Sequence, residues 1–276
     1  MNRNAAARVA EETLTIIEQG HYRNANNKNV DIGGALTYAI EGAVLYRIED
    51  TDQLLSELEP EHTNKTIIEV TEETTLEAAA RLAKEDTELT CLNFASAKHP
   101  GGGFLTGARA QEESLARASG LYPTIAQMKE MYSHNAGQRT CLYSDFMIYS
   151  PKVPVFRDDS GALLDEAYPV SIITAPAVNA GVVREREPHN IALIDPVMRR
   201  RIDKVLAVAQ AHKQTTLVLG AYGCGVFRNN PEEVAAWFRQ ALTGDKFRGV
   251  FRKVVFAIYD TKPGKEVYRA FVKQLT

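Results

Sequence analysis

The chain has no CxxC pair, no GxxxxGK[ST] run and no HxxxH or HxxE spacing. It also has no apolar stretch near the roughly 18 residues that cross a bilayer. Its cysteines number three, Cys91, Cys141 and Cys224, and are widely spaced. They give no disulfide framework and no zinc site, and they fit a reducing, cytoplasmic setting. The six histidines, His21, His62, His99, His134, His189 and His212, lack metal-ligand spacing, so no metal is expected. With a net charge of -3 there is no basic face, and any polyanionic ligand must be held by local donors. The opening MNRNAAARVAEETLTII carries Glu11 and Glu12 where a signal peptide is apolar, so neither export nor a membrane anchor is expected. Internal repeats, low-complexity tracts and heptad seams are missing too.

What is present is ordinary globular material, 45% apolar and 24% charged over 276 residues, the upper end for one core. We expect an N-terminal extension over residues 1–62 packed on a core at 63–276. In the extension, Ala6, Val9, Ala10, Thr13 and Ile17 share one helical face, giving a helix over 4–18 ended by Gly20. The asparagine-rich stretch from His21 to Gly34 reads as an irregular loop, followed by a strand over 43–48 and a short helix over 50–58 closed by Pro60.

From Thr66 strands and helices alternate. TIIEV leads to a helix capped by Thr75 and then to the strand ELTCLNF. Helices around 111–118 and 123–133 precede CLYSDFMIYSP and VPVFRD, read as a hairpin arm, and the strand YPVSIITAP. A long helix over 191–212 follows, with Arg199, Arg200 and Arg201 read as a solvated face. The strand TTLVLG, a helix over 231–242, the strand KVVFAIYD and a last helix over 264–275 complete the chain. This pattern predicts an α/β fold, a mixed, largely parallel sheet between helices.

Two glycine loops follow strands of that sheet. Gly101-Gly102-Gly103 allows a backbone path closed to residues with a Cβ, and Gln111-Glu112-Glu113 then opens a helix. The later loop, Gly220-Ala221-Tyr222-Gly223-Cys224-Gly225-Val226-Phe227, lacks lysine and suits a nest of backbone N–H groups around a diphosphate, with Phe227 as a flat wall. Arg228 stands where a third dinucleotide-fold glycine would be, so that fingerprint is not met. In open α/β sheets, loops at the carboxyl ends of strands line one crevice, so these two should converge with the loop at 175–182. Tyr222 reads as either a packed ring or a substrate clamp, and His99 as a rim residue.

The spacing of Gly101–Gly103 to Gln111-Glu112-Glu113 resembles the signature of poly(ADP-ribose) glycohydrolases, whose fold is the macrodomain. The blocks NFASAKHPGGGF, QEESLARASGLY, YSPKVPVFRD, TAPAVNAG and LGAYGCGVFRN are similar to the bacterial-type branch over nearly the whole chain. The resemblance implies a glycosidase that reverses ADP-ribosylation in the DNA damage response, with no cofactor, acting as a monomer on poly(ADP-ribose) and ADP-ribosylated proteins and releasing ADP-ribose. It implies Glu113 as the catalytic acid, Glu112 on a hydroxyl of the departing ribose, and Gly101, Gly102, Gly103 and Gln111 beside that ribose. Ala221, Tyr222, Gly223, Cys224, Gly225, Val226 and Phe227 would wrap the diphosphate. Asn179, with Glu69, Ala177, Val178 and Tyr259-Asp260, is a candidate for the adenine side. The alternatives are a macrodomain that binds ADP-ribose without turnover, and a hydrolase of single ADP-ribose units.

Overall fold

A computed structural model describes residues 1–59 and 62–276 of the chain. The Asn2 side chain accepts from the Ala5 amide to open α1 (Arg3–Gln19), and Gly20 closes it with a left-handed φ of 71°. The next stretch is not an irregular loop. It forms a two-stranded hairpin, β1 (His21–Arg23) and β2 (Asn29–Asp31), followed by α2 (Gly33–Glu41). The asparagines are the reason: Asn24 Oδ1 accepts from the Asn26 and Lys28 amides and so builds the turn from a side chain. β3 (Val44–Tyr46) and α3 (Ile48–Glu57) follow where expected, and Pro60 lies outside the described residues.

The core then opens with β4 (Ile67–Thr71) and α4 (Thr75–Leu82). The cap of α4 is Thr74 rather than Thr75. Its Oγ1 accepts from Glu77 N while Glu77 accepts from Thr74 N, a capping box one residue earlier than expected. Next come β5 (Leu89–Phe94), α5 (Gln111–Ala118), α6 (Leu121–Ala126) and α7 (Lys129–Gly137). The expected hairpin arm is instead one long strand, β6 (Met147–Arg157), paired antiparallel with β7 (Leu163–Ala175). A register shift between Ser150 and Val153, where Lys152 has φ 45°, marks a bulge inside β6 and not a turn. The remainder is α8 (Ala180–Arg186), α9 (Ile194–Ala211), β8 (Thr216–Leu219), α10 (Pro231–Thr243), β9 (Lys253–Ala257) and α11 (Glu266–Leu275).

Seven strands form one sheet in the order β3-β6-β7-β5-β8-β9-β4. β3/β6 and β6/β7 are antiparallel; the other four pairs are parallel. Because successive strand side chains point to opposite faces, adjacent residues serve different cores. Leu92, Ile173, Leu217 and Val254 pack under α9, α10 and α11, while Cys91, Ile172, Val218 and Val255 pack under α4, α5 and α6. Helices thus cover both faces and leave the loops at the carboxyl ends of the parallel strands free for a ligand.

The N-terminal residues are tied to that end. α1 packs Ala10 against Phe104 and Ala116, and Thr13 Oγ1 donates to Arg117 O at 2.6 Å. Glu12 pairs with the buried Arg157 at 2.8 Å. β3 forms one edge of the large sheet. The arginine triplet of α9 is a solvated face at Arg199 and Arg200 but not at Arg201. Arg199 pairs with Asp195 at the surface, but Arg201 is wholly buried against Asp145, because this helix lies directly on the sheet.

Candidate active site

β5 delivers Asn93 and Phe94 to the rim, and α5 starts alongside it. Gln111 joins the two: its Oε1 accepts from the Phe94 amide at 2.9 Å and its Nε2 donates to Leu92 O at 2.8 Å. With Gln111 turned to the strand, Glu112 and Glu113 project from successive positions about 100° apart. Glu112 is 3% exposed, and its Oε2 accepts from Ser96 N at 2.6 Å. Asn93 Nδ2 donates to Glu112 Oε1 at 3.4 Å and to Thr174 Oγ1 at 3.1 Å. Burial pushes the Glu112 carboxyl up to about 8, against the opposing pull of the Ser96 and Asn93 hydrogen bonds.

Glu113 is 9% exposed. Its Oε1 accepts from Gly103 N at 2.9 Å, and its Oε2 is buried with no hydrogen-bond partner among the described residues. A buried carboxylate oxygen without a donor is costly unless something else meets it. The glycine turn passes directly over this pair. Gly102 has φ 57°, and a Cβ built there would lie 2.4 Å from Glu113 Oε1 and 3.2 Å from Glu112 Oε2. Gly101 keeps its neighbours close too, since a Cβ there would run into the Phe104 ring, which packs tilted against Tyr122 at 4.8 Å between centroids.

The second loop leaves β8 and is shaped by Asn229. Asn229 Nδ2 donates to Val178 O at 2.8 Å and Gly223 O at 3.1 Å, which joins the loops after β7 and β8. Gly181 N adds a bond to Phe227 O at 2.9 Å. Gly223 is at φ 72°, with Ala177 Cβ 2.6 Å from where its own Cβ would be. Among the described residues, no main-chain carbonyl accepts from the amides of Gly223, Gly225, Val226 or Phe227. Such a row of unclaimed donors forms an anion-binding concavity. Phe94, at the end of β5, reaches the second loop: its ring packs on Tyr222 at 5.8 Å and would touch a Cβ at Gly220.

Comparison with known proteins agrees with this geometry. The family described as microbial-type PARG, catalytic domain, matches residues 10–158. A poly(ADP-ribose) glycohydrolase structure from Thermomonospora curvata is 46% identical, covering 99% of this chain and 100% of that one, with a TM-score of 0.94. The chain belongs to the microbial-type poly(ADP-ribose) glycohydrolase family. Another Thermomonospora curvata structure, bound to the inhibitor ADP-HPD, aligns with a TM-score of 0.92 at the same identity and coverage. The Deinococcus radiodurans glycohydrolase in complex with ADP-ribose is 45% identical, covers 87% of this chain and 96% of its own, and has a TM-score of 0.82. Curated proteins gave no match. The fold is the macrodomain type expected from the glycine and QEE blocks, with its N-terminal helix in place.

Within this glycohydrolase not every expected contact residue faces the crevice. Gln111 has both ends of its carboxamide on the protein, so it holds strand to helix and not a sugar. Tyr222 is entirely buried beneath its loop, and its amide is taken by Gly220 O, so it is a packed ring and not a substrate clamp. Asn179 caps α8 by accepting from Val182 N at 3.2 Å. Cys224 is an inert thiol, pushed up to about 12 by burial. Val226 stands 81% exposed at the loop tip, and Phe227 packs on Tyr143 at 6.0 Å. Glu69 is engaged with Arg81 and Lys253, and Asp260 accepts from the Lys262 and Val267 amides, so neither points at a base. His99 is exposed at the rim. No group of three or more metal-ligating side chains occurs among the described residues. Asn229 escaped sequence reasoning because an asparagine after a glycine loop reads as the cap of the next helix.

Proposed function

We propose that this chain hydrolyses the ribose–ribose bonds of poly(ADP-ribose) with Glu113 as the acid and base. Family membership carries the activity, glycosidic hydrolysis of the polymer; the residue roles rest on geometry. The observation that carries them is Glu113 itself, whose Oε1 is held beneath the glycine turn by Gly103 N while its buried Oε2 has no hydrogen-bond partner among the described residues.

In this reading the amides of Gly223, Gly225, Val226 and Phe227 take the diphosphate, and Phe227 flanks the sugar. The outer ribose lies against Gly101–Gly103. Glu113 Oε2 gives its proton to the departing 2′-oxygen as the bond to the anomeric carbon breaks. The same carboxylate then takes a proton from the water that attacks that carbon, which restores the acid. Glu112, whose raised pKa lets it hold a proton near neutrality, bonds a ribose hydroxyl and fixes the ring for the transfer. Products are ADP-ribose and a shortened polymer.

One further assignment belongs to the same reading: residues 1–62 are an extension whose first helix buttresses the glycine turn by packing Ala10 on Phe104. No described helix is long and apolar enough to cross a membrane. The test is Glu113→Gln. It keeps an acceptor for Gly103 N, so folding and ADP-ribose binding should persist while turnover of labelled polymer drops by roughly 10²- to 10⁴-fold. Near-normal turnover in a folded variant would remove Glu113 from the chemistry.

A further inference from the structure

Behind the second glycine loop, three basic side chains of α9 converge on one carboxylate. Arg201 Nε donates to Asp145 Oδ1 at 2.9 Å, while Arg200 Nε at 2.7 Å and Lys204 Nζ at 3.0 Å donate to Oδ2. Lys204 also meets Asp52 at 2.6 Å. Arg201 and Lys204 have no exposed surface, whereas the Arg200 and Asp52 side chains are 51% and 58% exposed. The cluster therefore holds three cations against two carboxylates, a net single positive charge. Although burial alone would raise it, Asp145 is held down to about 2 by Arg201, Lys204 and Arg200, and is ionised. Glu187, the other carboxylate on this side, is spent on Thr140, Asn190 and the Cys141 amide. Removing one partner of a buried pair is costly when it leaves the other charge unpaired, but Asp145 would keep Arg200 and Arg201 if Lys204 were lost.

This surplus is linked to the loop by short paths. Arg201 Nη1 donates to Pro176 O at 3.0 Å and Nη2 to Tyr143 O at 3.1 Å. The residue after Pro176, Ala177, abuts Gly223, and Tyr143 packs on Phe227. The Tyr222 ring descends from the loop into the same interior. Its hydroxyl lies within the field of Arg201 and Asp145 and has no hydrogen-bond partner among the described residues.

We propose that this cluster, whose three cations are met by only two carboxylates, forms a fixed positive charge that draws the diphosphate onto the loop above it. Arg201 is the positioning residue, since it holds the carbonyls of Pro176 and Tyr143 in place. Removing Lys204 brings the cluster to neutrality. Ligands carrying a diphosphate gain from it and neutral nucleosides do not. The inference rests on reading Gly223–Phe227 as the diphosphate site.

The full-length chain is tested by calorimetry with ADP-ribose and, in competition, adenosine, using Lys204→Met, Lys204→Arg and Asp145→Asn. At an effective dielectric of about 20, one charge acting on a doubly negative group is enough for a tenfold effect at any separation up to about 20 Å. Lys204→Met leaves Asp145 paired with Arg200 and Arg201, so it should fold, bind ADP-ribose about tenfold more weakly and leave adenosine unchanged. Lys204→Arg should retain wild-type affinity. Asp145→Asn should tighten ADP-ribose, the opposite sign, which a purely structural role would not give. If Asp145→Asn does not fold, the two Lys204 variants still decide the matter. Unchanged ADP-ribose affinity in Lys204→Met, an equal loss for adenosine, or an equal loss in Lys204→Arg would overturn the proposal. A wild-type chain that prefers ADP-ribose to adenosine by nothing would instead strike the loop assignment beneath it.

Discussion

Gly102→Ala gives the sharpest test of how the glycine turn and the acidic pair are fitted together. The added methyl carbon would stand 2.4 Å from Glu113 Oε1 and 3.1 Å from its carboxyl carbon. Comfortable contact needs about 3.5 Å, so the carboxylate or the turn must give by about 1 Å. A misplacement of that size at a reacting group costs about 10²-fold in rate. The φ of 57° adds a separate penalty of about 1–2 kcal/mol for a residue with a Cβ, visible as lost stability. Single-turnover release of ADP-ribose from polymer, with ADP-ribose affinity and a urea midpoint measured on the same preparations, separates the two effects. Turnover should fall about 100-fold, far more than the stability loss removes folded enzyme. Gly137→Ala is the matched control, because a Cβ there meets nothing within 4 Å, its φ is not positive and it lies outside both glycine loops. Wild-type turnover in Gly102→Ala would show that the reacting carboxylate is not the one beneath this turn.

Two other outcomes follow from the same geometry. Gly223→Ala puts a methyl 2.5 Å from Asn229 Nδ2 and 2.6 Å from Ala177 Cβ at a φ of 72°, so it should weaken ADP-ribose about tenfold or more while sparing saturated turnover; equal affinity by calorimetry would mean that the loop's shape does not matter. Glu112, raised from its ordinary 4.5 to about 8, keeps a proton in the folded chain that the unfolded chain has lost across that window. Its contribution to stability is complete below 4.5 and disappears as pH rises through 8. The slope reaches about 1.4 kcal/mol per pH unit, and Glu112→Gln should flatten it in urea melts of the ligand-free protein. Parallel pH curves for the two proteins would contradict the buried, protonated state.

The parts of this enzyme that are local in sequence were readable without coordinates. Gly101–Gly103, the acids nine and ten residues after Gly103 and the loop after β8 each announce themselves by composition within one short stretch, and strand and helix alternation gives the sheet they follow. What escaped depends on side chains that replace main-chain partners or on partners far along the chain. Asn24 turns an apparent loop into a hairpin with its own carboxamide oxygen. Arg201 looks like one of three exposed arginines until Asp145, 56 residues earlier, is seen to neutralise it in the interior. Gln111 and Tyr222 sit inside the right motifs, yet periodicity cannot say which of several adjacent polar or aromatic residues turns inward.

The bond pattern of Gln111 bears on how variants of this enzyme should be screened. Both ends of its carboxamide are anchored on the backbone of β5, at the Phe94 amide and the Leu92 carbonyl. A carboxylate in that place would face the Leu92 oxygen with no proton to offer, and the seam between strand and helix would loosen. A library scored only by polymer cleavage would record position 111 as part of substrate recognition, when the lesion is mechanical. Pairing every activity score with a melting temperature would keep the two kinds of failure apart.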